Sequence, residues 1–474
     1  MIFKRFVEDG LSHFSYVVGD EETKDAVVID PRRDTDKYGE WIEKNDLNMD
    51  GVVETHLHAD YASGAHELAE TEGVPHYLSA YDEDEKYQAT YDRVALEDGD
   101  TLNVGSLILK TVHTPGHTPE HLSYLLYPDG NEGQPTKFFT GDFLFVGSLG
   151  RPDLIGEDVK TPLAGKLYES VQKIKSMDLP GELSIHPAHG SGSLCGAGMD
   201  DSPESTLERE LESNRYFSIE SKEKFVESVF DALGDFPPYY KRMKATNSEG
   251  ADPVLPIQPP EAKIVSTYQE LTGDNNDAVL LDLRDQESFG SGHIPGSYDI
   301  GLTPKLNMWA PWVLPYDTPI YLIGDESMGE NEMEVAYRKL IRVELDEVAG
   351  YLEGGFEAWT NRGYPTETVE QLTSDELEKK GPQGMVIDVR TEREYAEGHV
   401  PGAINLPVGR LPEKVEEVSK DEREPIYTVC GTGYRSSLAA SLLKKAGVET
   451  VGHLKDGFGQ WKQAGKTIET QKKI

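Results

Sequence analysis

The second half of the chain is written twice. LDLRDQESFGSGHIPG, from Leu281, matches IDVRTEREYAEGHVPG, from Ile387, and Asp282/Asp388, Arg284/Arg390, His293/His399, Gly296/Gly402 and Ile320/Ile426 all stand 106 positions apart. Further on, GFEAW (Gly355 to Trp359) matches GFGQW (Gly457 to Trp461) at a separation of 102, so the first copy carries four extra residues after its central strand. Such a repeat means two tandem domains, each burying its own core. Runs such as Val279-Leu-Leu-Asp-Leu and Met385-Val-Ile-Asp-Val alternate with helical segments, the pattern of a parallel sheet with helices on both faces. The 474 residues leave room for one larger domain ahead of the pair. Pro253, Pro256, Pro259 and Pro260 make Ser248 to Ala262 a stiff, extended boundary. The expected division is 1–250, a linker at 251–262, then 263–368 and 369–474.

Charge narrows the partners. With 86 Asp plus Glu against 46 Lys plus Arg, the formal charge of -40 repels phosphate backbones and anionic lipid, which argues against nucleic acid and membrane partners. We read the acidity as a solvated surface. Two cysteines, Cys195 and Cys430, lie far apart without a CxxC pattern, so a disulfide framework or thiolate zinc knuckle is excluded. The N-terminus has two basic residues with no apolar run behind them, and no stretch of 18 uncharged apolar residues occurs, so the expectation is a soluble, cytoplasmic protein. A homo-oligomer is compatible with the sequence but not specified by it.

Nine of the 13 histidines fall between His56 and His189, among short apolar runs that end in Asp, His, Thr or Gly, as strands ending in polar loops would. Thr55-His56-Leu57-His58-Ala59-Asp60-Tyr61 follows one such run. Downstream come Thr114-Pro-Gly-His117-Thr, Thr140-Gly-Asp142 and His186-Pro-Ala-His189-Gly. One strand-end histidine is ordinarily structural, but imidazoles two apart with a carboxylate two further on, and three more such motifs in order, point to a metal site. The order HxHxD, PGHT, TGD, PAHG resembles the metallo-β-lactamase fold, an αββα sandwich with its metal site at the sheet edges. Gly150-Arg151-Pro-Asp153, Ser205-Thr206-Leu-Glu208, Asn214, Pro237-Pro238-Tyr239, Met243 and Asn247 further resemble persulfide dioxygenases. Dinuclear zinc hydrolases of this fold carry HxHxDH, whereas the last position here is Tyr61, which removes an imidazole from the second metal site. The resemblance implies one Fe(II) per chain on His56, His117 and Asp142, with His58, Asp60, Tyr61 and His189 around them, and with zinc as the alternative metal. A thiol persulfide and O2 would be its substrates. Arg151 is a candidate for the substrate carboxylate or for a structural pair with Asp153, and Cys195 for sulfur relay or for packing.

Ile426-Tyr-Thr-Val ends in Cys430-Gly431-Thr432-Gly433-Tyr434-Arg435, ahead of a helical Ser436-Ser-Leu-Ala-Ala-Ser-Leu-Leu. A Gly-rich loop between strand and helix turns backbone N–H groups inward and adds the positive helix end, which favours a thiolate at Cys430 and an anion beside it; Arg435 adds a fixed charge. With DVR, GHVPG and GFxxW, the loop resembles rhodanese, whose cysteine carries a persulfide. Four residues separate Cys430 from Arg435, one fewer than in the phosphatase CxxxxxR loop. In the first copy the cysteine position is Gly324, followed by Asp325 and Glu326, so that copy is expected to be inactive. The whole is thus an α/β protein: an αββα metallo-β-lactamase sandwich, an inactive and an active rhodanese-like domain, resembling persulfide dioxygenase/rhodanese fusions that act on persulfide, sulfite and thiosulfate. Weighed against it are a zinc thioester hydrolase of the glyoxalase II type and a non-catalytic sulfur relay through Cys195 and Cys430.

Overall fold

A computed structural model describes residues 1–82, 85–128, 130, 133–272, 277–420 and 425–471; residues 472–474 of the expected last domain lie outside them. The chain forms two compact units, one of Met1–Ile257 with Ile341–Glu344 and one of Gln258–Leu340 with Leu345–Ile474. Among the described residues no helix is long and apolar enough to cross a membrane.

In the first unit, β1 (Ile2–Glu8), β2 (His13–Gly19), β3 (Asp25–Ile29), β4 (Asn48–Val53), β5 (His76–Ser79) and β6 (Val94–Leu96) form one mixed sheet in that order. β7 (Thr101–Val104), β8 (Leu107–His113), β9 (Leu122–Tyr127), β10 (Lys137–Gly141), β13 (Ser184–Pro187) and β14 (Ser205–Thr206) form the second, in the order β14-β13-β10-β9-β8-β7. A hairpin of β11 (Leu144–Phe145) and β12 (Ser148–Leu149) lies between β10 and β13 in the chain. Alternation along β2 shows how the layers arise, since successive side chains face opposite sides. Phe14, Tyr16 and Val18 join Ile29, Val53, Leu109, Tyr124 and Phe139 in the core between the sheets. Val17 packs outward with Tyr38 and Ile42 of helix Asp36–Lys44 and Leu68 of helix Ala65–Glu72. The far face of the second sheet is covered by Leu167, Val171 and Ile174 of helix Lys160–Ser176 and by Phe225 and Val229 of helix Lys222–Ala232. The result is the expected αββα sandwich.

In the second unit the repeat is visible as two five-stranded parallel sheets of the same order. β15 (Ala262–Lys263), β16 (Val279–Asp282), β17 (Tyr298–Asp299), β18 (Ile320–Ile323) and β19 (Val348–Leu352) run β15-β19-β18-β16-β17. β20 (Glu370–Leu372), β21 (Met385–Asp388), β22 (Ile404–Asn405), β23 (Ile426–Val429) and β24 (Val451–Leu454) run β20-β24-β23-β21-β22. The repeated motifs are scaffold. Arg284 forks onto Asp282 and reaches the carbonyl of Gly292, as Arg390 does with Asp388 and Gly398, and each guanidinium lies over the Phe of GFxxW. Part of the Pro-rich stretch is held rather than free: the N–H groups of Val254 and Leu255 both donate to Glu67.

Candidate active sites

His56 and His117 follow β4 and β8, Asp142 follows β10 and His189 follows β13, so the four sequence motifs meet at neighbouring strand ends, all four side chains fully buried. Each imidazole is set by the partner of its Nδ1. Thr55 Oγ1 donates its proton to Asp30 at 3.0 Å, so the His56 Nδ1 beside it at 2.9 Å must be the N–H donor, which leaves Nε2 bare. His117 Nδ1 donates to the backbone carbonyl of Arg151 at 2.9 Å and likewise leaves Nε2 bare. Burial lowers both rings, His117 to about 4, so both are neutral and able to ligate. Asp142 divides its oxygens: Oδ1 accepts from His189 Nδ1 at 2.7 Å, and Oδ2 lies 3.4 Å from His117 Nε2 and 3.9 Å from His56 Nε2. Against the pull of burial, His189 holds Asp142 well below the usual carboxylate range. His56 Nε2, His117 Nε2 and Asp142 Oδ2 are buried without a hydrogen-bond partner and converge within 4.8 Å, which fits a divalent cation held by two imidazoles and one carboxylate.

The surrounding residues have other partners. His189 spans two carboxylates, its Nε2 lying 2.7 Å from Asp60. His58 Nε2 is 3.2 Å from Asp30 rather than beside Asp142. Tyr61, 1% exposed, donates to the Asp30 carbonyl at 3.4 Å and packs its ring between His13 and His58. Asp60, His189 and Cys195 form a second convergent donor group. The Cys195 thiol, 3.7 Å from the Tyr240 hydroxyl, is pushed up well beyond its ordinary range by burial and then by Asp60 and Asp142. The Arg151 guanidinium is committed: it forks onto Asp153 at 2.7 and 2.9 Å, donates to the carbonyls of Leu194, Gly234 and Asp235, and is 3% exposed. Its role at the metal site runs through its backbone carbonyl on His117.

Apart from Asn247, which the sequence singles out, the residues that support these ligands escaped the sequence reading. His121 Nε2 accepts the N–H of Asp142 at 3.0 Å and fixes the turn that aims the carboxylate. Lys244 bridges Glu120 and the carbonyl of Leu57, and Asn247 donates to the carbonyls of His58 and Tyr61, so helix Tyr240–Glu249 clamps the HxHxD turn. His13, 1% exposed, lies among His58, Tyr61 and His189. His121 was legible as a histidine four after His117; the others stand alone in sequence.

In the second unit Cys430 directly follows β23, 1% exposed, with the N–H of Gly433 donating to its Sγ at 3.1 Å. Gly433 has φ +98°, and a Cβ there would meet the carbonyl oxygen of Lys455 at 2.1 Å, so only glycine closes this turn. Helix Tyr434–Lys445 starts beside the sulfur. Arg435 is paired: it forks onto Glu394 at 2.7 and 2.8 Å, and against burial this pair brings Glu394 down to about 2. The anion-holding groups are therefore chiefly the loop N–H groups and the helix end. Trp309 of the first repeat lies 5.8 Å from the Arg435 guanidinium. At Gly324 the nucleophile's space is filled, since a side chain would meet Met333 at 2.7 Å and Met328 at 2.9 Å.

An αββα sandwich with a buried two-histidine, one-carboxylate donor set, joined to paired parallel-sheet domains with one loop cysteine, defines a metal-site domain fused to a sulfurtransferase-type pair. The chain belongs to the metallo-beta-lactamase superfamily, whose sequence pattern matches residues 9–189, and carries two copies of the rhodanese-like domain at 265–362 and 370–464. It is 32% identical to the human mitochondrial persulfide dioxygenase ETHE1 over 190 residues, 40% of this chain and 68% of that one. It is 29% identical over 215 residues to BaeB of Bacillus velezensis, described as a probable polyketide biosynthesis zinc-dependent hydrolase, covering 45% of this chain and 86% of the relative. A crystal structure described as a metallo-beta-lactamase from Staphylococcus aureus subsp. aureus COL superimposes with a TM-score of 0.66 at 32% identity, covering 74% of this chain and 98% of that one.

Proposed function

We propose that the first unit is an iron-dependent persulfide dioxygenase and that Cys430 moves sulfane sulfur among persulfide, sulfite and thiosulfate. The observation that carries this reading is the donor set: three orphaned buried atoms on His56, His117 and Asp142, with Tyr61 where a dinuclear hydrolase has a further histidine. Fe(II) held there would supply open positions at which a persulfide and O2 meet. The chain's own residues do the rest. Thr55 and the Arg151 carbonyl keep the two ring Nε2 atoms bare, and His189 keeps Asp142 ionised, its own Nε2 lying beside Asp60. Persulfide, O2 and water would leave as thiol, sulfite and two protons. In the second unit the Cys430 thiolate attacks the outer sulfur of a persulfide and releases the thiol. The sulfur it then carries passes to sulfite, making thiosulfate and restoring the cysteine.

The test is O2 uptake by protein purified without air, loaded with Fe(II) and given glutathione persulfide. Uptake with sulfite or thiosulfate appearing is expected; none, with other thiol persulfides also tried, rejects the dioxygenase. A second reading, the zinc thioester hydrolase, is favoured by the Asp60, His189 and Cys195 group, which offers donors for a second ion. It requires two metals per chain, whereas the dioxygenase requires one, so metal analysis separates them.

A further inference from the structure

We propose that His453 is a positioning residue for the Cys430 nucleophile and acts through Ser436. The inference rests on reading Cys430 as the sulfur-transferring cysteine. His453 lies in β24, beside Thr428 of β23, and is completely buried. Ser436 Oγ sits between it and the sulfur, 3.5 Å from Cys430 Sγ and 3.5 Å from His453 Nδ1. Its single proton goes to the carbonyl of Gly433 at 2.8 Å, so the nitrogen facing its oxygen carries the other proton. Burial, and then Lys455, bring His453 down to about 4, so the ring is neutral, with Nδ1 protonated and Nε2 bare; that Nε2 is buried without a partner.

The arrangement serves the sulfur differently in its two states. As a thiol, Cys430 donates to Ser436 Oγ. As a thiolate it has no proton to give, and the Ser436 hydroxyl can turn from Gly433 to the sulfur. Its oxygen then has only His453 as donor. Losing His453 leaves that oxygen unsatisfied in the thiolate state alone, so the thiolate is disfavoured relative to the thiol. The charged groups around the loop are Arg435 on the same helix, Glu394 paired with it from helix Glu392–Glu397, Asp388 of β21 on Arg435 and Lys455 after β24.

A buried histidine that merely packs is the bland alternative, and the repeat argues against it. The positions of Cys430 and His453 are Gly324 and Tyr351 in the first copy, where Tyr351 pairs with Leu322 as His453 pairs with Thr428. Both have gone together. The scaffold residues Asp282, Arg284, His293 and Trp359 have all been kept.

The experiment uses the full chain and follows iodoacetamide labelling of Cys430 by peptide mass spectrometry, alongside thiosulfate-to-cyanide sulfur transfer. His453→Leu is expected to slow labelling about tenfold near pH 7, with the gap closing near pH 10, and to lower kcat about tenfold with KM held within about twofold. His453→Asn, whose amide N–H takes the place of Nδ1, should restore both to within about twofold. Ser436→Ala should slow labelling as much as His453→Leu, and the double variant no further. Wild-type labelling in a folded His453→Leu protein, or a loss equal at every pH and not rescued by asparagine, overturns the proposal. Where the leucine variant does not fold, unchanged labelling in Ser436→Ala overturns it, and slowed labelling there beside wild-type labelling in His453→Asn supports it. Labelling that responds as expected in a protein without sulfur transfer leaves the inference standing and removes the sulfurtransferase reading instead.

Discussion

Asp142 gives one oxygen to His189 and turns the other toward two bare imidazole nitrogens, and this division separates a metal ligand from a buried ion pair. Asp142→Ala should therefore empty the site of metal and bring O2 uptake to background while Cys430 still transfers sulfur; metal analysis and an oxygen electrode check it. Arg151 makes the opposite case. Its fork is spent on Asp153 and three carbonyls, so Arg151→Met should cost about 3 kcal/mol in denaturant titration yet leave the persulfide KM within about twofold. A large rise in KM without a loss of stability would restore it as a substrate ligand. The metal-facing residues were legible because each falls in a short motif at a strand end, and four such motifs in order have few explanations. His13, Lys244 and Glu120 were not, because each is a single residue brought in by a neighbouring element, and no local pattern marks it.

At the level of elements the repeat separates scaffold from chemistry. Asp-x-Arg, the Gly-His of GHxPG and GFxxW recur because each copy needs the Arg fork and the aromatic lid to close its sheet. The sequence made this architecture legible, since parallel sheets depend on apolar runs and turns that are local. The packing of one repeat against the other was not legible, because it depends on polar residues that look like surface. Asp299, at the end of β17, is one: it is 3% exposed, accepts the Ser437 hydroxyl of helix Tyr434–Lys445, and is pushed up to about 8 by burial, with Asp282 adding to the rise. A carboxyl raised in the folded state contributes stability in full below its unfolded value near 4 and loses it as pH rises through about 8, because only the unfolded chain releases the proton in between. Asp299→Asn keeps an acceptor for Ser437 without the titration. Its melting temperature should exceed wild type near pH 8, the advantage shrinking toward pH 4. An advantage that does not change with pH would mean that Asp299 is charged at this seam.

For the molecule as a whole, the two proposed chemistries are complementary: one would make sulfite from a persulfide, and the other would consume sulfite with a second persulfide. Summed, two persulfides, one O2 and one water give thiosulfate, two thiols and two protons, with Cys430 regenerated. The chain should therefore form thiosulfate with about one O2 consumed for every two persulfides. Cys430→Ser removes the nucleophile but none of the metal-site residues, so O2 uptake should continue at about one O2 per persulfide, with sulfite accumulating instead. Sulfite and thiosulfate measured by chromatography against oxygen consumption decide the matter. Loss of O2 uptake in a folded Cys430→Ser protein would show that the cysteine also serves the oxidation, and thiosulfate formed at the wild-type rate would show that sulfur reaches sulfite without it. Either result removes the division of labour between the two units, because that division requires each variant to stop one half of the sum and leave the other running.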